Sequence, residues 1–162
     1  MKYNHSVFNP AWVTGFIDGE GTFFVGVYAK SDMRLKYQVS LEFAITQHVR
    51  DLAMMHKLPL FFNCGYVTLN SGKSTCQFRI RNVLELEQSL FSLLDAYPLQ
   101  TQKALDAAAF REVHALVKEG KHLTVEGLDK IRVLKSTMNR ARKAITPPLS
   151  LVFSCCYDIV QS

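Results

Sequence analysis

Apolar residues at helical spacing occupy the start of the chain. Asn9 is a residue type that caps helices, and Pro10 is favoured at the first helical position. Trp12, Phe16 and Gly19 then recur at the spacing of one helix face. The pattern therefore predicts a first helix that begins at Pro10 and ends near Gly19.

Two segments in which apolar and polar residues alternate follow this helix. A period of two begins at Thr22 and continues to Lys30, where Ser31 and Asp32 supply residues that are typical of turns. The same period resumes over residues 35–46. Alternation of this kind predicts two strands of an antiparallel sheet, each with one apolar and one polar face.

The rest of the chain repeats this order and then adds helices. The further predicted elements are a helix over 48–61 that Pro59 should end early, a hairpin with strands over 66–70 and 75–81, and helices over 83–96, 102–119 and 124–142. The order α-β-β-α-β-β-α followed by helices predicts an α+β fold in which the helices cover one face of the sheet. We expect a single domain over residues 1–143 and a poorly ordered extension over 144–162, where no period is readable.

The opposite face of the predicted sheet is polar and open. Arg, Lys, Gln and Asn are the side chains that pair with base edges, and a two-stranded ribbon fits the major groove of DNA. The candidate DNA-binding residues on this face, its turns and the last helix are Tyr28, Lys30, Arg34, Lys36, Gln38, Ser40, Thr68, Asn70, Lys73, Thr75, Gln77, Arg79, Arg81, Lys135, Asn139, Arg140 and Arg142. A merely solvated polar face is the alternative interpretation.

The distribution of charge favours a partner that carries phosphates. The 162 residues have a net charge of +5 and a sequence pI near 9.1. Residues 101–143 contain ten basic and five acidic side chains, so the whole excess can be placed there. Lysines and arginines that neutralise phosphates gain affinity through the release of counterions. A solvated helix face would have the same composition.

Composition also excludes several classes of protein. The four cysteines form no CxxC pair, and the five histidines are scattered, so a structural zinc site and a histidine-based nuclease are both disfavoured. No run of about 18 apolar residues occurs, and residues 1–10 have no apolar stretch of the kind that secretion signals contain. We therefore expect a protein of a reducing compartment that does not insert into membranes.

The first predicted helix carries small and acidic residues in an arrangement that needs an explanation. Gly15 and Gly19 lie four apart, so a second helix, or the protein's own sheet, can approach that face closely. Asp18 and Glu20 stand at the C-terminal end, where the helix dipole disfavours a carboxylate by about 0.3–1 kcal/mol. A bound cation would compensate, and Mg²⁺ prefers such oxygen ligands together with phosphate oxygens.

Residues 13–21 resemble the signature of the LAGLIDADG homing endonucleases. Gly15, Ile17, Asp18 and Gly21 match it letter for letter. The departures at positions 14, 16, 19 and 20 exchange small, apolar or acidic residues for others of the same kind. The predicted order of elements is also that of the family, and the resemblance covers residues 10–142.

The resemblance implies a set of site residues. Glu20, with Gly19, would bind the metal ion, whereas Asp18 would cap or pack at the helix end. Gln47 and Lys103 occupy positions that match family residues near the cleavage centre, and Arg50 or Arg79 could add a further positive charge. The chain has one copy of the motif, and cleavage of two strands needs two acids, so the resemblance implies a homodimer. The helices that pair would contribute Trp12, Gly15, Phe16 and Gly19.

The resemblance further implies an intron-encoded enzyme that hydrolyses both strands of a long, pseudo-palindromic DNA target. The expected cofactor is Mg²⁺; Mn²⁺ is an alternative, and Ca²⁺ would bind without supporting cleavage. An RNA maturase that assists splicing of the host intron, and a DNA-binding regulator that does not cleave, are the rival interpretations. We expect the gene to be carried in a chloroplast or mitochondrial genome, with an archaeal cytoplasm as the second choice.

Overall fold

A four-stranded antiparallel sheet with the order β1-β2-β4-β3 carries the helices of the domain. A computed structural model describes residues 3–72 and 74–139. Its elements are α1 (Pro10–Glu20), β1 (Gly21–Ala29), β2 (Tyr37–His48), a 3₁₀ turn (Val49–Asp51), α2 (Leu52–Met55), α3 (Leu58–Phe62), β3 (Tyr66–Leu69), β4 (Thr75–Ile80), α4 (Val83–Glu85), a π-helical segment (Leu86–Phe91), α5 (Ser92–Ala96), α6 (Lys103–Lys118), a second 3₁₀ turn (Lys121–Leu123) and α7 (Val125–Ser136). The predicted α+β class is confirmed.

The first helix begins where its capping residues predict. The side chain of Asn9 accepts a hydrogen bond of 2.9 Å from the backbone N–H of Ala11, and Pro10 is the first helical residue. The helix continues to Glu20 and passes into β1 without an intervening loop. Because no loop separates the two elements, the C-terminal end of α1 is held at the edge of the sheet.

Apolar side chains fill the layer between the sheet and the helices. Phe23 on β1 and Phe43 on β2 are cross-strand partners whose ring centroids lie 5.4 Å apart, and Phe110 of α6 lies 5.5 Å from Phe23. All three are fully buried, as are Val13 and Ile17 of α1. The helix layer therefore covers the face of the sheet to which the apolar residues of the alternating pattern point.

Two predicted helices differ from those observed. Pro59 begins a helix instead of ending one, because it lies in the first turn of α3, where a missing N–H costs nothing. The last helix was predicted to reach residue 142 but ends at Ser136, and Asn139 has the left-handed backbone conformation (φ 53°), which does not continue a helix. The predicted extension over 144–162 lies outside the described residues.

Among residues 3–72 and 74–139, no helix is both long enough and apolar enough to cross a bilayer.

Candidate functional site

The C-terminal end of α1 lies beside the end of β2. Gly21 pairs with Ile45, so Gln47 stands two residues beyond this pair, on the part of β2 that extends past the start of β1. Glu20 is exposed at the last position of α1. The structure therefore brings the helix end with Glu20 and the strand end with Gln47 to the same edge of the sheet.

Lys103 reaches the same place from α6. Its Nζ atom lies 3.2 Å from the carbonyl oxygen of Ile17 and 3.2 Å from that of Gly19. Burial lowers the pKa of the Lys103 ammonium, and the negative charges of Asp18, Glu20 and Asp106 oppose that shift. The ammonium thus lies at the negative end of the α1 dipole, next to the acidic residues.

Asp18 has a structural role, unlike Glu20, which is exposed. Its carboxylate accepts hydrogen bonds from the backbone N–H groups of Gln100, at 2.7 Å, and Thr101, at 3.2 Å, and from the Thr101 hydroxyl. Burial alone would raise the pKa of Asp18, but these hydrogen bonds and the charge of Lys103 hold that pKa below its usual value. Asp18 therefore fastens the loop that leads into α6, as expected for a residue that packs at the helix end.

The oxygens at this helix end fit part of a magnesium site. A carboxylate and a backbone carbonyl are hard ligands of the kind that Mg²⁺ accepts, with the remaining positions filled by water and phosphate oxygens. Within residues 3–72 and 74–139, no group of three or more His, Cys, Asp or Glu side chains could hold a metal ion by itself. Glu20 and Gly19 therefore fit a metal ion only as an incomplete set that DNA or a second protein surface completes.

The outer face of α1 is apolar and exposed. The rings of Phe8, Trp12 and Phe16 form a ladder with centroid distances of 5.1 and 5.2 Å, and Trp12 remains 46% exposed. A Cβ atom added at Gly15 or at Gly19 would meet nothing within 4 Å. These glycines are not required by packing within the described part of the chain, so the sheet is not what approaches this face.

The strand register places most of the candidate DNA-binding residues together on the open face. Tyr28 pairs with Gln38, Thr68 pairs with Gln77, and cross-strand partners share one face. The residues that the register assigns to this face are Tyr28, Gln38, Ser40, Thr68, Thr75, Gln77 and Arg79, and Arg81 follows directly after β4. These side chains form the polar face that the alternating pattern predicts.

The remaining candidates are distributed around this face. Lys30, Arg34 and Lys36 lie in the connection between β1 and β2, Asn70 lies in the turn after β3, and Lys135 lies in the last turn of α7. The amide of Asn139 is engaged within the fold, where it donates a hydrogen bond of 3.0 Å to the carbonyl oxygen of Phe23. Lys73, Arg140 and Arg142 lie outside the described residues.

The candidates chosen from the sequence leave out Glu42, which lies on the open face. Its carboxylate forms an ion pair with Arg81 and lies 3.8 Å from the Nε atom of Arg79. Arg79 in turn donates to the side-chain oxygen of Gln77, and Gln77 donates to the Thr46 hydroxyl at 2.7 Å. The alternation places Glu42 on the polar face, but only the pairing of β2 with β4 shows which arginines it contacts.

Comparison with known proteins places this geometry in a family. The family model described as LAGLIDADG endonuclease matches residues 13–114, which include most of α1, the whole sheet and Lys103. The chain belongs to the LAGLIDADG endonuclease family. The resemblance of its motif to that family is thereby confirmed.

Relatives within the LAGLIDADG endonuclease family are mostly longer than this chain. The probable intron-encoded endonuclease 2 of Neurospora crassa is 32% identical over 140 residues, which are 86% of this chain and 28% of that protein. The chain thus spans about a quarter of the length of this relative and of two other curated relatives.

Two solved LAGLIDADG structures differ in how much of them the chain covers. The I-LtrWI homing endonuclease bound to its target DNA has a TM-score of 0.82 and 34% identity, and the match covers 88% of this chain and 48% of that one. The homing endonuclease I-TnaI has a TM-score of 0.77 and 40% identity, with 82% of this chain and 88% of that one covered. The same fold therefore occurs both as a unit of this length and as part of a chain about twice as long.

Proposed function

We propose that the chain is a site-specific endonuclease that cleaves both strands of double-stranded DNA. The observation that carries this proposal is the convergence of an exposed acid, Glu20, with Gln47 and Lys103 at one edge of a sheet whose open face is polar. The family and the DNA-bound I-LtrWI structure support the same substrate class. Backbone phosphates of DNA bound on that face would pass the edge at which the acid stands.

The proposed cofactor is a divalent cation, with Mg²⁺ as the physiological ion and Mn²⁺ as an alternative. Glu20 and the Gly19 carbonyl would hold it, and the ion would supply activation of a water molecule and stabilisation of the leaving 3′ oxygen. Lys103, whose Nζ atom lies 3.2 Å from the same carbonyl, would place a positive charge near the scissile phosphate. Gln47 would orient a water molecule or a phosphate oxygen through its amide.

The proposed assembly brings two LAGLIDADG helices together. One chain offers one Glu20, whereas two strands need one acid each. The exposed aromatic ladder and the open space over Gly15 and Gly19 supply a surface that a second helix could contact closely. The match covers 88% of I-TnaI, so a homing endonuclease of about this length exists, whereas it covers 48% of I-LtrWI, whose chain has room for two such units. We therefore favour a homodimer.

The proposed origin of the gene is an intron of an organellar genome. The Neurospora crassa relative is described as intron-encoded, which supports this origin. A mitochondrial genome and a chloroplast genome both fit the sequence, and host intron RNA would be a further partner if the chain also assists splicing.

A cleavage selection tests the proposed function. The full chain is incubated with a randomised double-stranded DNA library and Mg²⁺, and the new ends are sequenced. We expect ends that derive from one family of related, pseudo-palindromic sequences, with a fixed offset between the cuts on the two strands. Sequence-specific binding in Mg²⁺ without new ends would identify a DNA-binding regulator, and an absence of both would contradict the proposal.

A further inference from the structure

Glu42 is an acidic residue on the sheet face that the proposed function assigns to DNA. A carboxylate repels phosphates, so its presence on such a surface weakens non-specific attraction. The side chain is only 18% exposed and lies between two arginines, and Arg79 is 24% exposed. Arg81 is 53% exposed, so its ion pair with Glu42 is partly open to water. Glu42 and Arg79 are both mostly buried, so the attraction between these two charges is screened less than that of a surface pair.

The register explains why the three charged groups meet. Phe43 pairs with Ile80, so Arg81 stands across from Glu42, and Arg79 stands across from Ala44 on the same face. Glu42 therefore reaches one arginine directly and the other diagonally, which are the two contacts that cross-strand neighbours can make. The arrangement follows from the pairing of β2 with β4 and does not depend on a loop.

The contacts leave part of each guanidinium available. Arg81 uses its Nε–H for the Glu42 carboxylate, and within residues 3–72 and 74–139 its two terminal nitrogens form no hydrogen bond, so they are available for a ligand. Arg79 uses its Nε–H, at 3.0 Å, and one terminal nitrogen for the side-chain oxygen of Gln77. A guanidinium that is held at its Nε edge presents its outer fork in one orientation, which is the geometry that reads O6 and N7 of guanine.

We propose that Glu42 is a specificity-determining residue that orients Arg81 directly, and Arg79 together with Gln77, to read bases instead of phosphates. The inference rests on the proposed function, because it needs DNA on the open face. Glu42 cancels part of the positive charge of the two arginines, so the protein binds DNA of any sequence less tightly. Glu42 also holds the fork of Arg81 in advance, as Gln77 holds that of Arg79, so less side-chain freedom is lost when the two arginines bind a base. The ratio between the affinity for the target sequence and the affinity for other DNA sequences is thereby increased.

The proposal is tested by binding selection with the full chain, a randomised double-stranded DNA library and Ca²⁺, the ion expected to permit binding without cleavage. We expect Glu42→Ala to lose about tenfold of base discrimination at one or two adjacent positions of the half-site. The variant should bind a DNA duplex outside the selected family more tightly than the wild type does, with a steeper salt dependence. Arg81→Lys, which keeps the charge but loses the fork, should lose preference at one of the same positions.

A matched control separates these effects from net charge alone. Glu112→Ala makes the same change of charge on an exposed position of α6, on the opposite side of the sheet. We expect this variant to keep every base preference of the wild type. If Glu112→Ala weakens base preference at the same positions of the half-site as Glu42→Ala does, the effect is one of charge alone and the proposal is overturned.

Some outcomes would contradict the role of Glu42 and leave the proposed function standing. Unchanged preferences in Glu42→Ala, or a loss of affinity that is equal for all sequences, would show that Glu42 only joins two strands. Failure of both Glu42→Ala and Glu42→Gln to fold would assign the residue to stability and would also overturn the proposal. A wild-type chain that selects no DNA sequence would instead refute the proposed function itself.

Discussion

The Nζ atom of Lys103 lies 3.2 Å from the carbonyl oxygen of Gly19. The first residue of α6 is thereby joined to the end of α1, where the unsatisfied carbonyls of a helix carry partial negative charge. Asp18 completes the connection from the other direction by accepting hydrogen bonds from the loop before α6. The position of Lys103 next to Glu20 is therefore fixed by the fold in the absence of DNA.

Lys103→Met is predicted to reduce cleavage strongly while DNA binding is retained. Methionine has a similar length but no charge, so the positive group that we propose to lie beside the scissile phosphate is lost. Removal of one preorganised electrostatic group commonly costs about 10²–10³ in kcat. Single-turnover cleavage and equilibrium binding measure the two effects separately. Lys118→Met on the same helix, where the lysine pairs with Glu87, is the control and should cleave normally. Equal losses in the two variants would contradict the assigned role.

Asp18→Ala is predicted to destabilise the fold by about 1–3 kcal/mol, because the N–H groups of Gln100 and Thr101 lose their acceptor. Urea denaturation measures the change in the free energy of unfolding. Asp18→Asn retains one acceptor oxygen and should lose less. Asp32→Ala, on an exposed loop, should change the stability by less than about 0.5 kcal/mol. A loss no larger than that of the loop variant would show that the hydrogen bonds contribute nothing.

The lowered pKa of Asp18 predicts a specific dependence of stability on pH. The pKa of the carboxyl is lower in the folded chain than in the unfolded chain, where it is near 3.9. Its contribution to stability is therefore fully present above the unfolded pKa and is lost as the pH falls through the folded pKa. Between pH 7 and about pH 3, the wild type should lose more free energy of unfolding than Asp18→Asn does. Parallel pH curves for the two proteins would refute this prediction.

Gly15→Leu is predicted to prevent self-association without unfolding the chain. A side chain at this position enters open space in the isolated protomer, and leucine has a higher helix propensity than glycine. The same side chain would block close approach of a second α1. Sedimentation equilibrium measures the dimer, and Ala115→Leu, at an exposed position of α6, is the control. A Gly15→Leu dimer as stable as that of the wild type would place the interface elsewhere.

The sequence predicts the fold and the motif well, because both depend on short-range pattern. Alternation and capping identify α1, the strands and α6 to within a few residues. The role of Pro59 could not be read from sequence, since proline either ends a helix or occupies a first turn. The end of α7 depends on a left-handed residue, Asn139, for which the sequence contains no glycine signal.

The candidate site was predictable as a set of residues but not as a set of contacts. The motif identifies Asp18 and Glu20 as acids at a helix end, yet their different environments depend on a loop some eighty positions away. In the same way, Glu42 is visible as a polar residue of β2, but its arginine partners belong to another strand. Such long-range neighbours are determined by the register of the sheet, which a single sequence does not specify.

Glu20→Gln tests the central claim most directly. The substitution keeps the size of the side chain and removes the carboxylate that would bind the metal ion. Cleavage of the selected DNA in Mg²⁺ and binding of the same DNA in Ca²⁺ are measured for the wild type, for Glu20→Gln and for Glu126→Gln, an exposed control on α7. We predict that Glu20→Gln binds like the wild type and does not cleave, while the control does both. Full cleavage by Glu20→Gln would contradict the account.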